Sequence, residues 1–213
     1  MKLIAISGRK QSGKDTLGNF LIADYGAKKY GWADSLKRMI GDLFVVPDEW
    51  LWGTEEDKNN LTCVKWKDLP HWYVLVTEAI HRGETEKEVE LRGDQYLTVR
   101  ELLQQFGTGI VRTMYCDAWV NAGKARLRRE KPKFAVIIDM RFPNELFAVK
   151  ELGGKCIRLT RKQDEPANHE SEWSLDPDKF DWRNFDAVID NSKMNLKEQE
   201  EALVNVMKGW GWI

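Results

Sequence analysis

The chain has 213 residues, 42% of them hydrophobic, and its 33 basic and 34 acidic side chains leave a formal charge of −1. That length buries one good core and at most a small subdomain beside it. A charge so close to zero excludes a general field for nucleic acid or membrane, so any anionic ligand has to be captured locally.

The opening run, residues 1–6, reads as a strand and lacks the charged start and cleavage site of a signal peptide. No segment approaches the roughly 20 apolar residues that a membrane span needs. Cys63, Cys116 and Cys156 are odd in number and far apart, which argues against a disulfide framework and against zinc. The expected location is the cytoplasm.

The elements alternate as a parallel α/β sheet requires. A strand over residues 2–7 leads into a helix from about Gly13, with Leu17, Phe20 and Leu21 on one face. Residues 27–32 form a short second strand, and a helix runs from Asp34 through Phe44. The stretch 46–97 holds Trp50, Trp52, Trp66, Trp72 and Tyr73 among many charges with no clean period. It reads as a helical or irregular insertion in a single domain of residues 1–213, forming an acceptor or lid region, its tryptophans serving packing before base stacking.

Thr98-Val99-Arg100-Glu101 is a capping box that opens a helix ending near Gly107. The next helix is expected to carry Val111, Met114, Tyr115, Ala118, Trp119 and Ala122 on one stripe. Its basic end, residues 126–133, suits the negative pole of a helix. Residues 134–138 are the clearest buried strand, bounded by Asp139. Pro143 opens a helix that Gly153 and Gly154 close. Strands over 155–160 and 186–189 follow, then a C-terminal helix with Leu203, Val206, Met207 and Trp210 at spacings of three and four.

Between the first strand and its helix lies Gly8-Arg9-Lys10-Gln11-Ser12-Gly13-Lys14. Glycines at this spacing let successive amides turn toward phosphate oxygens, the helix N-terminus adds to their field, and Lys14 brings a point charge to the β- and γ-phosphates. The residue after the lysine is Asp15, with Thr16 next. Asp15 either holds Mg²⁺ directly or through water, or faces the acceptor while Thr16 touches the α-phosphate. Asp139, at a strand end beside the loop, either orients Mg²⁺ or caps the following turn. Arg141 either neutralises phosphate or pairs with Asp139. His169 has no partner at metal spacing, and a loop hydrogen bond is expected of it rather than catalysis.

Residues 7–16 resemble the phosphate loop of the phage-type deoxynucleoside monophosphate kinases, the aspartate after the lysine included. Asp139-Met140-Arg141-Phe142-Pro143-Asn144-Glu145 is similar to that family's D-x-R-F-P-N-E segment. Residues 32–37, 103–108, 169–172 and 189–192 resemble further segments in the same order, with Ser35 and Gly109 departing from them.

The resemblance implies a P-loop NTPase-type parallel sheet of about five strands flanked by helices. It implies transfer of the ATP γ-phosphate to a deoxynucleoside 5′-monophosphate, with Mg²⁺. On that reading Gly8, Lys10, Ser12, Gly13, Lys14, Asp15 and Thr16 hold the donor, with Asn191 and Ser192 beside its adenine. Lys14, Arg141, Arg161 and Asp139 serve catalysis, and Asp15 and Asp139 the metal. Asp34, Lys37, Arg38, Arg100, Gln104, Thr108 and Arg112 line the acceptor pocket. The expected partner is a small nucleotide, with no nucleic acid and no membrane, and ten tryptophans are compatible with a homodimer. Kinases of phosphomevalonate or dephospho-coenzyme A, a nucleotide-hydrolysing switch and a non-catalytic ATP-binding module remain the alternatives.

Overall fold

The computed structural model describes residues 1–161 and 170–213. Strands are β1 (Lys2–Ser7), β2 (Lys28–Tyr30), β3 (Leu61–Lys65), β4 (Tyr96–Thr98), β5 (Phe134–Ile137), β6 (Lys155–Leu159) and β7 (Ala187–Ile189). The helices are α1 (Lys14–Tyr25), α2 (Asp34–Phe44), α3 (Asp48–Trp52), α4 (Trp72–His81), α5 (Glu86–Gly93), α6 (Val99–Gln104), α7 (Ala118–Glu130), α8 (Pro143–Glu151) and α9 (Leu196–Gly209). The described residues divide into two compact units, one of residues 1–32 and 120–213, the other of residues 33–119.

In the first unit five strands make a wholly parallel sheet in the order β2-β5-β1-β6-β7. Every residue of β5 is buried, as is all of β1 after Lys2. This is the sign of strands covered on both faces, and it explains why residues 134–138 read as an unbroken apolar run. Side chains still alternate. Leu3, Ala5, Ala135, Ile137 and Cys156 join one core cluster with Leu127 of α7 and Leu146 and Val149 of α8. Ile4, Ile6, Val136, Ile157 and Leu159 join the other with Leu17 and Leu21 of α1 and Leu203 and Met207 of α9. Helices therefore cover both sheet faces, the α/β architecture that the order of elements predicts.

Two residues of the basic end of α7 form ion pairs: Arg126 with Glu130, which also takes Lys28, and Arg128 with Glu151, which also takes Lys124. Among the described residues, no helix is long and apolar enough to cross a membrane.

In the second unit, helices α3, α4 and α5 fit the helical reading of residues 46–97, and the antiparallel β3–β4 pair departs from it. Residues 46–97 lie wholly inside this unit. Trp50, Trp66 and Trp72 pack on its own core of Leu36, Ile40, Leu51, Leu97 and Leu102, whereas Trp52 and Tyr73 are exposed. The Thr98 capping box forms as expected: Thr98 Oγ1 accepts from Glu101 N (3.2 Å), and Glu101 Oε2 accepts from Thr98 N (2.8 Å).

The helix after it is a correction. From Gln105 to Arg112 the chain runs on as π-helix, the helical run ends at Met114, and α7 starts only at Ala118. The continuous stripe from Val111 to Ala122 does not exist, and Met114 and Tyr115 are exposed. The carbonyls around the wide turn find side-chain donors instead, Thr113 Oγ1 reaching Gly109 O at 3.0 Å and Trp119 Nε1 reaching Gly107 O at 3.0 Å.

Cys63 and Cys116 are exposed, while Cys156 is enclosed in β6. Burial, aided by the charge of Asp186, pushes the Cys156 thiol up to about 12. Since the thiolate is the reactive form, titration with an aromatic disulfide at pH 8 is expected to consume two thiols quickly and the third only after denaturation. Three equally fast thiols would contradict this core.

Candidate functional site

The loop joining β1 to α1 lies at the carboxyl end of the central strand, where open parallel sheets bind their ligands. Its backbone explains its sequence. Gln11 has φ 58° and Gly13 φ 93°, two left-handed residues flanking Ser12, and such alternation gathers neighbouring amides on one side. Gly8 has another reason to be glycine: a Cβ there would stand 2.2 Å from Ser12 Oγ.

Lys14 opens α1 and is 7% exposed, folded back into the loop with Nζ donating to Arg9 O at 3.2 Å. Ser12 N donates to the same carbonyl at 3.2 Å. Ser12 is wholly buried, and its hydroxyl finds no acceptor among the described residues. Lys10 and Asp15 are exposed and Thr16 is half-buried.

Asp139 follows the end of β5, and its Oδ1 accepts from Trp32 N at 3.0 Å, tying that turn to the end of β2. Arg141 pairs with Glu172, and its Nη1 also reaches Ser171 O at 3.4 Å. Glu145 closes the segment that begins at Asp139, and sequence reasoning assigned it no role of its own. Its carboxylate is 3% exposed and accepts from Arg141 N (2.7 Å) and Phe142 N (3.1 Å). It thereby fixes the turn that presents both Asp139 and Arg141. The available signal was a glutamate three residues after the position preceding Pro143, the spacing at which a first-turn carboxylate reaches back to free amides.

Arg161 and Asn191 brace the loop region from the other side of β1. Arg161 donates from Nε and Nη2 to Asn191 O (3.2 and 2.8 Å) and from Nη2 to Met194 O (2.5 Å). Asn191 is fully buried and spends its whole amide: Oδ1 accepts from Arg161 N (2.9 Å), and Nδ2 donates to Ser12 O (2.7 Å) and Gln199 Oε1 (3.0 Å). That side chain sets the loop's position from beneath. Ser192 is exposed and bonds Asp190, whose carboxyl is held below its ordinary range by the hydroxyls of Ser192 and Thr160. His169 lies outside the described residues.

The residues read as acceptor-binding belong to the second unit. Asp34 begins α2, Lys37 Nζ lies 4.5 Å from the Trp52 ring centroid, and Arg38 is exposed. Arg100, Gln104, Thr108 and Arg112 recur every fourth residue along α6 and the π-helical run. Arg100 pairs with Glu55 at 2.7 Å. Burial alone would raise the Glu55 carboxyl, but hydrogen bonds from Lys58 and Arg100 hold it down at about 2. Arg112 Nη1 reaches Cys116 O at 3.4 Å. Close packing beneath this run needs Gly107, where a Cβ would come within 2.6 Å of Leu36 Cδ2.

The family described as "Deoxynucleotide monophosphate kinase" matches residues 2–49, a span that includes the β1–α1 loop and α2. A protein of Acanthamoeba polyphaga mimivirus, described as "Putative deoxynucleotide monophosphate kinase", is 28% identical over 161 residues, 76% of this chain and 75% of its own. Among solved structures, a dephospho-CoA kinase from Campylobacter jejuni covers both chains fully at 18% identity and a TM-score of 0.43. An uncharacterised protein of Eubacterium ventriosum covers 97% of this chain and 98% of its own at 10% identity and 0.44. Both sequence matches are thus to proteins described as deoxynucleotide monophosphate kinases.

Proposed function

We propose that this chain, similar in sequence to the deoxynucleotide monophosphate kinases, transfers the γ-phosphate of ATP to a deoxynucleoside 5′-monophosphate. The observation that carries the reading is the buried Lys14 folded into a left-handed glycine loop at the head of α1. An acceptor phosphate oxygen is already anionic at neutral pH, so in-line attack needs no strong base. Alignment and charge neutralisation have to supply the rate.

Lys14 leaves the Arg9 carbonyl for the β- and γ-phosphates, and Gly8, Lys10, Ser12, Gly13 and Thr16 frame the donor. Of the two arginines, Arg141 is the better placed to join the transferring group. It has a partly exposed partner, Glu172, to exchange. Arg161 would have to give up carbonyl bonds, each charge-assisted and worth about 1.5–3 kcal/mol. Asn191 and Ser192 act by holding the loop and the neighbouring turn on the donor side. Asp34, Lys37, Arg38, Arg100, Gln104, Thr108 and Arg112 are the proposed acceptor contacts, and residues 46–97 the proposed acceptor or lid region.

The oxygens of Asp15, Thr16 and Asp139 are the hard donors that Mg²⁺ takes, one or two carboxylates beside the phosphates being its usual share. When bound, the ion draws off charge from the β- and γ-phosphates. Asp139 already fixes the β2 turn through Trp32 N, so its carboxylate is oriented in advance.

An ADP-release assay tests the whole reading, run over deoxynucleoside and ribonucleoside monophosphates with phosphomevalonate and dephospho-coenzyme A beside them. ADP release is expected with at least one deoxynucleoside monophosphate and only slowly without acceptor. Acceptor-independent hydrolysis, turnover of another acceptor alone, or ATP binding without product would each replace it.

A further inference from the structure

We infer that Asp176 and Arg158 are positioning residues for the phosphate loop, acting on it through the side chain of Arg9; the inference rests on the ATP-binding role proposed for that loop. Arg158 stands within β6 between the buried Ile157 and Leu159, and its register partner is Ser7, the last residue of β1. It is 4% exposed. Nη1 donates to Ser7 Oγ at 2.9 Å, Nη2 donates to Asp176 Oδ1 at 2.8 Å, and the guanidinium lies 5.3 Å from the Trp182 ring centroid. Its Nε has no acceptor among the described residues.

Asp176 is 3% exposed and sits in a turn in which its own N–H donates to Trp173 O and its carbonyl accepts from Phe180 N. Its second oxygen pairs with Arg9, the first residue after Gly8. Arg9 thus faces two ways: its side chain is fastened to the buried carboxylate, while its carbonyl accepts from both Lys14 Nζ and Ser12 N. A shift of the guanidinium carries that carbonyl with it, and the carbonyl is the resting place of the lysine.

Core stability does not account for such a triad. A buried ion pair replaced by apolar residues of similar volume is often neutral or more stable. What the charges give is a fixed geometry, and the atoms they fix are those of the loop. The signal in the sequence was an arginine in an otherwise apolar strand, Cys156-Ile157-Arg158-Leu159, which demands a buried anion somewhere along the chain.

The test measures binding of a non-hydrolysable ATP analogue by calorimetry, with kcat, KM and thermal midpoint, for Arg9→Ala, Arg9→Lys, Asp176→Asn, the Arg9→Ala/Asp176→Asn double variant and Lys14→Ala. Arg9→Ala is expected to weaken analogue binding about tenfold, the affinity that one contact of ordinary strength contributes, with the acceptor KM unchanged. Because Arg9 is partly exposed, its thermal midpoint should move little. Arg9→Lys restores most of the affinity by keeping a charge for Asp176, and the double variant binds no worse than Asp176→Asn alone. Wild-type affinity in Arg9→Ala overturns the inference, as do independent, multiplying losses in the double variant. If Asp176→Asn fails to fold, the Arg9 pair decides alone. A Lys14→Ala protein that binds the analogue like wild type sinks the proposed donor site itself, and the inference with it; loss in Lys14→Ala with no change in Arg9→Ala sinks the inference only.

Discussion

Replacing Lys14 with alanine is expected to lower phosphoryl transfer by about 10³-fold or more while the protein stays folded, cationic groups on the transferring phosphates being worth that much. In the resting structure the ammonium has Arg9 O at 3.2 Å and is 7% exposed. Removing it relieves a partly desolvated charge and leaves a carbonyl that still accepts from Ser12 N. A loss of no more than about 1 kcal/mol of stability is therefore anticipated. Circular dichroism melts beside the ADP-release assay separate the two effects. A variant with wild-type turnover would remove the loop from the chemistry, and one that is unfolded would show that Lys14 holds the fold together.

Gly13→Ala is expected to damage both stability and nucleotide binding. The residue has φ 93°, a conformation that costs an L-residue about 1–3 kcal/mol. Its new Cβ would also lie 2.6 Å from Gln199 Oε1. Gln199 is 1% exposed and has little room to retreat. If it moves, Asn191 Nδ2 loses one acceptor, and the bond that Asn191 makes to Ser12 O is disturbed with it. The loop then shifts at Ser12 as well as at Gly13. A fall of about 2–4 kcal/mol in unfolding free energy is expected from strain and overpacking together, with ATP-analogue affinity reduced in protein that remains folded. Chemical denaturation and calorimetry measure these separately. Wild-type values in both would mean that the loop relaxes at no cost, contrary to its close packing on α9.

Features written in short stretches of sequence were legible. The apolar run of β5, the start of α8 at Pro143 and the mutual cap of Thr98 and Glu101 depend on residues within a few positions of one another. They appear in the structure close to where those patterns put them. The β3–β4 pairing was not legible, because its strands are separated by α4 and α5 and neither alternates cleanly between apolar and polar residues. The widened turn after Gln104 was missed for a related reason. Its stripe fits an ordinary helix, and only packing of Gly107 on Leu36 and the capture of Gly107 O by Trp119 favour the wider coil.

By itself the sequence determined that a strand, a glycine loop and a lysine-headed helix follow one another, and that this trio opens a parallel α/β sheet. Local sterics and hydrophobic period suffice for that, since glycine alone tolerates a left-handed backbone cheaply and a run buried on both faces needs no alternation. Tertiary structure decided what holds the loop still. Arg9 and Asp176 are separated by 167 residues, and Asn191 and Ser12 by 179. Charges and amides so far apart become partners only when the folded sheet and its covering helices withdraw them from water and leave each the other as its remaining source of hydrogen bonds.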